Sequence, residues 1–74
     1  MANVLIIDDE EGVCNLLAKI ILQMGHEAES AQSIREGLAK TEAAPYDVVV
    51  LDVRLPDGSG LDILPRIRTA PRWP

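Results

Sequence analysis

Val48-Val49-Val50-Leu51-Asp52-Val53-Arg54-Leu55-Pro56-Asp57-Gly58-Ser59-Gly60 decides how this chain folds. Its first four residues are apolar and three are β-branched, the pattern of a strand covered on both faces. Pro56, Asp57, Gly58 and Gly60 cannot continue that strand, so the chain must turn. Asp52 therefore falls at the carboxyl end of a buried strand, where open α/β sheets place their ligands. Taken alone, Asp52 reads equally well as a residue that caps or starts a turn.

Upstream, Val4-Leu5-Ile6-Ile7 is a second continuous apolar run, and it too ends on carboxylates: Asp8 and Asp9, then Glu10 and Glu11. Acidic residues there suit the positive end of a following helix. Val13, Leu16, Leu17, Ile20, Ile21 and Met24 follow at helical spacing, with Gly25 as the C′ residue. Cys14 and Ala18 widen the stripe to one side, where a further element would pack. Residues 26–31 are short and half polar, an edge strand blunted by charge. His26 reads as structural or solvated rather than as a ligand, because no second His or Cys is spaced to share a metal with it. Ser33 with Glu36 marks a capping box opening a helix over residues 33–43. Gly37 weakens that helix by about 1 kcal/mol relative to Ala. Ile63, Leu64 and Ile67 suggest a third, shorter helix ending near Arg66 and Arg68, with Pro65 requiring a late start or a bend.

The order is strand-helix-strand-helix-strand-loop-helix, which predicts an α/β fold with a parallel sheet, right-handed crossovers and helices on both faces. Fully apolar strands belong inside a sheet and polar ones at its edge, so the strand order is 2-1-3. Neighbouring strands lie about 4.8 Å apart. Asp8, Asp9 and Asp52 then converge at the topological switch point. Three bare carboxylates cannot share a small site without a cation, a proton or an electropositive neighbour. Hard oxygen donors without His or Cys suit Mg²⁺, and such a site does phosphate chemistry with a carboxylate as nucleophile. The competing reading is a helix-cap pair plus an unrelated turn residue. Carboxylates ending both buried strands weigh against it.

Composition bounds the rest. The 74 residues suffice for one small domain with a marginal, aliphatic core. A net charge of −5 without a basic run argues against nucleic acid or an anionic membrane as a partner of this segment. Cys14 alone fits a reducing compartment, and no apolar run approaches the roughly 20 residues of a membrane span. A soluble, cytoplasmic segment is expected.

Val4-Leu5-Ile6-Ile7-Asp8-Asp9-Glu10 together with Asp47 through Gly60 resembles the receiver domain of two-component response regulators. The resemblance rests on a paired acid after the first strand, an Asp after the third and a Leu-Pro-x-Gly-x-Gly loop. It implies a flavodoxin-like fold and a non-enzymatic phosphorelay module in which Asp52 takes a phosphoryl group from a sensor histidine kinase. It also implies that Asp9 is the direct Mg²⁺ ligand and Asp8 holds the metal through water. The backbone carbonyl of Arg54 would be the third protein ligand, with Pro56 and Gly60 shaping the pocket. The family fold has five strands and five helices. This chain is therefore expected to be the amino-terminal part, residues 1–74, without the fourth and fifth strand-helix units. The Ser/Thr and Lys that contact the phosphoryl group belong to those units; Lys19 and Lys40 lie on helices at the wrong places.

The implied partners are the kinase and an output domain, with a weak analogy to transcriptional activators. The alternatives are a Mg²⁺-dependent phosphatase or phosphotransferase with an aspartyl nucleophile, and an interaction module that has lost phosphorylation. Arg54 stands where such enzymes commonly need a second acid. The open edge of the third strand is expected to drive self-association, most simply as a two-fold dimer with the third strands antiparallel.

Overall fold

A computed structural model describes residues 1–52, 54–62 and 65. The elements are β1 (Asn3–Ile7), α1 (Glu11–Gln23), β2 (Glu27–Ala31), α2 (Ile34–Ala43), β3 (Val48–Leu51), β4 (Arg54–Leu55) and β5 (Gly58–Ser59). The main sheet is parallel with order β2-β1-β3, as the strand polarities require. β1 is the central strand; Leu5, Ile6 and Ile7 are inaccessible to solvent.

Alternation along β1 divides the core in two. Leu5 and Ile7 point to the α2 side, where Ala31, Tyr46 and Leu55 join them and Ile34, Leu38, Val49 and Leu51 pack around the edge. Val4 and Ile6 point to the α1 side and meet Cys14, with Leu17, Ala18 and Ile21 against them. Such two-sided coverage explains why β1 tolerates an unbroken apolar run.

The C-terminus of α1 and the N-terminus of α2 are closed by local hydrogen bonds, whereas Glu10, the N-cap of α1, makes no side-chain cap. At the C-terminus of α1 the Gly25 amide donates to the Leu22 carbonyl at 3.0 Å and the His26 amide to the Ile21 carbonyl at 3.1 Å. Gly25 sits at φ +86°. This is a Schellman closure, and glycine removes its steric cost. His26 is structural, its Nδ1 accepting from the Ala2 amide at 3.0 Å. Ser33 Oγ caps α2 by accepting from the Glu36 amide at 3.1 Å. The return bond of the capping box is displaced by one residue: Glu36 Oε1 accepts from Gln32, not from Ser33.

Gly37 has a packing reason that offsets its low helix propensity. A Cβ there would stand 2.6 Å from Ile7 Cδ1, so α2 approaches β1 more closely than an alanine allows. Tyr46, one of the chain's few aromatics, is buried under the α2 side with its hydroxyl donating to Glu29 Oε2.

Three expectations change. β3 is not covered on both faces among the described residues: Val48 is 47% exposed and Val50 39%. Both lie on the α1 side, and α1 packs over β1 and β2. The apolar stripe of α1 is also turned. Cys14, Leu17, Ala18 and Ile21, at i, i+3, i+4 and i+7, face the sheet. Leu16 and Ile20 instead remain 59% and 44% exposed. Among the described residues the uncovered side of α1 is therefore the Leu16–Ile20 side and not that of Cys14 and Ala18. Finally, the turn after Asp52 contains a minimal antiparallel hairpin, Arg54 opposite Ser59 and Leu55 opposite Gly58. Gly60, Leu61, Asp62 and Pro65 are helical, whereas Ile63, Leu64, Arg66, Ile67 and Arg68 lie outside the described residues.

Candidate metal centre

Strand register brings the carboxylates together. The Asp8 amide donates to the Ala31 carbonyl of β2 at 3.0 Å, and the Asp52 amide to the Ile7 carbonyl of β1 at 2.8 Å. Each is the residue directly after its strand, held by one last ladder bond. Ile7 pairs with Leu51, so Asp8 and Asp52 leave the sheet side by side at its carboxyl end. β1 lies between β2 and β3, so this is also where the strand order reverses.

One carboxylate oxygen from each of Asp8, Asp9 and Asp52 lies within 4.8 Å of the others. Asp8 and Asp52 are half-buried and Asp9 is exposed. Asp8 Oδ1 also accepts from the Glu10 amide at 3.0 Å, which fixes the carboxylate and shapes the entry into α1. Asp52 Oδ1 faces the Arg54 amide at 3.5 Å, the outer limit of a hydrogen bond. Both carboxylates retain oxygens for a ligand.

Electrostatics makes the arrangement costly without a cation. Two unit charges about 5 Å apart repel by about 3 kcal/mol at an effective dielectric of about 20, and by less where water screens them, as at exposed Asp9. No Lys or Arg forms a salt bridge to these three among the described residues; the one ion pair there, Lys40 with Glu36, is on α2. The donors are all hard oxygens at the spacing of one small divalent ion. Opposite ligands of Mg²⁺ stand about 4.2 Å apart and those of Ca²⁺ about 5 Å. The chemistry of the donor set, three neighbouring carboxylates with no His or Cys among them, fits such an ion.

The loop after Asp52 contributes in ways its composition does not reveal. Gly60 packs so tightly on the Asp52 backbone that a Cβ would collide with the Asp52 carbonyl oxygen and stand 3.0 Å from Leu51 Cγ. Glycine is needed there for close approach, since its φ is not positive. Asp57 reaches the N-terminus of α2. Its two carboxylate oxygens accept from the Ile34 amide at 2.8 Å and the Arg35 amide at 3.1 Å. Those two bonds, Ile34 first, hold the Asp57 carboxyl below the usual range. Pro-Asp-Gly signals a turn, but no local pattern says that its Asp caps a helix more than twenty residues upstream.

Comparison with known proteins gives this geometry a context. The family model described as "Response regulator receiver domain" matches residues 4–74. The chain is 41% identical over 66 residues to the acid tolerance regulatory protein ActR of Rhizobium meliloti (strain 1021), covering 89% of this chain and 34% of that protein. The chain thus spans about a third of the length of that curated relative. Among solved structures, a CheY-like receiver domain from Methylobacillus flagellatus superposes with a TM-score of 0.92 at 27% identity, over 96% of this chain and 60% of that one. TrrA of Thermotoga maritima, solved with Mg²⁺-BeF, gives 0.87 at 35% identity, over 92% of this chain and 59% of its own. TrrA has also been solved in complex with the histidine kinase ThkA. A 2-1-3 sheet with acids at its switch point, a matching family model and these superpositions agree: the chain belongs to the receiver domain family of two-component response regulators.

Proposed function

We propose that Asp52 is the phosphoacceptor of this receiver and that Asp8, Asp9, Asp52 and the Arg54 backbone carbonyl hold a divalent ion, Mg²⁺, beside it. The observation that carries the reading is the approach of three carboxylate oxygens to within 4.8 Å at the carboxyl end of β1 and β3. TrrA, 35% identical, is a receiver solved with Mg²⁺-BeF, which supports the choice of metal.

The chemistry asked of the chain is simple. An Asp52 oxygen forms a bond to phosphorus while the P–N bond to the kinase's histidine breaks. The electron pair returns to the imidazole nitrogen, which takes a proton from water, and Asp52 becomes an acyl phosphate. A bound Mg²⁺ supplies neutralisation of the phosphoryl oxygens and of the acceptor carboxylate. Asp52 stays within reach because its amide is tied to Ile7. Asp8 is oriented through the Glu10 amide, and Asp9 presents an exposed carboxylate to an ion arriving from solvent. This is stoichiometric acceptance of a phosphoryl group rather than enzymatic turnover.

The partner is a sensor histidine kinase, as for TrrA with ThkA. The output is a further domain of the parent protein, in keeping with the greater length of ActR. We read residues 1–74 as the amino-terminal part of the receiver, and its setting as the cytoplasm, where two-component regulators act. No helix among the described residues is long and apolar enough to cross a membrane.

Amide NMR during Mg²⁺ titration tests the metal assignment. Shifts are expected at residues 8, 9 and 52 and are lost in Asp9→Asn. Unchanged binding in that variant contradicts the ligand set.

Self-association belongs to the same reading. Among the described residues β3 pairs on one edge, to β1. Its Val48 and Val50 are exposed, as are Leu16 and Ile20 of α1 on the same side of the sheet. An apolar edge of this kind recruits another strand, and a two-fold pairing of β3 with β3 gives a continuous six-stranded sheet. Light scattering over a wide concentration range is expected to show a dimer that Val50→Lys weakens. A concentration-independent monomer contradicts it.

A further inference from the structure

The first amides of a helix lack intrahelical partners. In α2 these are Ile34, Arg35 and Glu36; Ser33 Oγ takes the third at 3.1 Å. The first two donate to opposite oxygens of Asp57 at 2.8 and 3.1 Å. A carboxylate is well suited to this place, because free N–H groups and the helix dipole both favour negative charge. An N-cap is ordinarily the residue just before the helix. Here Ser33 already fills that role, so the two long-range bonds serve the loop as much as the helix.

Asp57 sits in the turn between β4 and β5. A hairpin with two pairs of residues does not hold itself in water. This one is anchored by its surroundings. Leu55 is buried in the core cluster against which Ile34 packs. The Arg54 amide faces Asp52 Oδ1, and Gly60 closes on the Asp52 carbonyl. The hairpin thus spans from the carboxylate site at one end to the α2 N-terminus at the other, and the charged clasp is at the α2 end.

We infer that Asp57 is a positioning residue for the carboxylate site: by capping α2 it locks the β4–β5 hairpin, and with it the Arg54 backbone beside Asp52, in one place. The metal-affinity consequence rests on the proposed role of Asp52 and Arg54 as ligands; the locking of the hairpin does not.

Three variants test this: Asp57→Ala, Asp57→Asn and Ser33→Ala. Asp57→Ala and Ser33→Ala both remove bonds from the same helix end, so a role confined to helix stability moves every readout alike. The readouts are amide hydrogen exchange at Arg54, Gly58, Ser59 and Gly60, and Mg²⁺ affinity. Asp57→Ala is expected to speed hairpin exchange and to weaken Mg²⁺ about tenfold, the scale of a lost orienting contact behind a metal ligand. Ser33→Ala is expected to leave both near the parent values. Asp57→Asn, with one acceptor oxygen, falls between. Hairpin exchange unchanged in Asp57→Ala, or equally raised in Ser33→Ala, overturns the inference. If the parent chain takes up no Mg²⁺, the metal reading falls, and hairpin exchange alone decides the positioning claim.

Discussion

Replacing Gly37 with alanine probes the close approach of α2 to β1. In an open helix interior this change stabilises by about 1 kcal/mol. Here the added methyl stands 2.6 Å from Ile7 Cδ1 and 3.1 Å from Ile7 Cγ1. Ile7 has no solvent exposure, so its side chain has nowhere to swing, and overpacking of this kind costs about 1–3 kcal/mol. The expected net effect is destabilisation by about 1 kcal/mol. Ile7→Val removes the Cδ1 that is struck, at its own cost of about 0.5–1.5 kcal/mol. In the double variant the methyl introduced by Gly37→Ala occupies the vacated space. The two changes should therefore couple favourably by about 1–2 kcal/mol. Urea unfolding of the four proteins gives the cycle, at one low concentration because self-association shifts apparent stability. A Gly37→Ala variant stabilised by the full helix-propensity gain, with no coupling to Ile7→Val, refutes the close contact of α2 with β1.

Tyr46 makes a pH prediction. Burial first, then the hydrogen bond to Glu29 and its charge, push the phenol up to about 12 from 10.0. The folded state prefers the neutral phenol, so this stability is intact below pH 10 and is lost as pH rises from 10 to about 12. With the phenol tip partly screened by solvent, the rise contributes on the order of 1 kcal/mol. The parent chain should lose about that much more than Tyr46→Phe over this window, whereas parallel curves contradict the assignment. Gly60→Ala should displace the loop from the Asp52 carbonyl and weaken Mg²⁺ binding along with stability; retained affinity in calorimetric titration counts against the tight packing at Gly60.

What the sequence reveals follows from how local each signal is. The strand order was legible because polarity differs along the chain: residues 27–31 carry charge and lie at an edge, while Val4 through Ile7 carry none and lie at the centre. Once that order holds, the meeting of Asp8, Asp9 and Asp52 follows from register alone. The rotation of α1 was not legible. Its apolar residues cover more of the helix than one sheet face can bury, and periodicity cannot say whether Leu16 or Cys14 turns inward. The hairpin of β4 and β5 is too short to show alternation. Asp57 acts through amides of Ile34 and Arg35, distant in sequence. Gly60 carries a constraint from the backbone of Asp52 that composition registers only as a turn residue.

The central proposal for this chain is that Asp52 accepts a phosphoryl group at a metal-dependent carboxylate site. Incubation with Mg²⁺ and a small acyl-phosphate donor, followed by mass spectrometry with peptide mapping, tests this most directly. A single phosphoryl adduct is predicted on Asp52, one that requires Mg²⁺ and disappears in Asp52→Asn. No Mg²⁺-dependent adduct on the parent chain, or an adduct that survives Asp52→Asn, contradicts it.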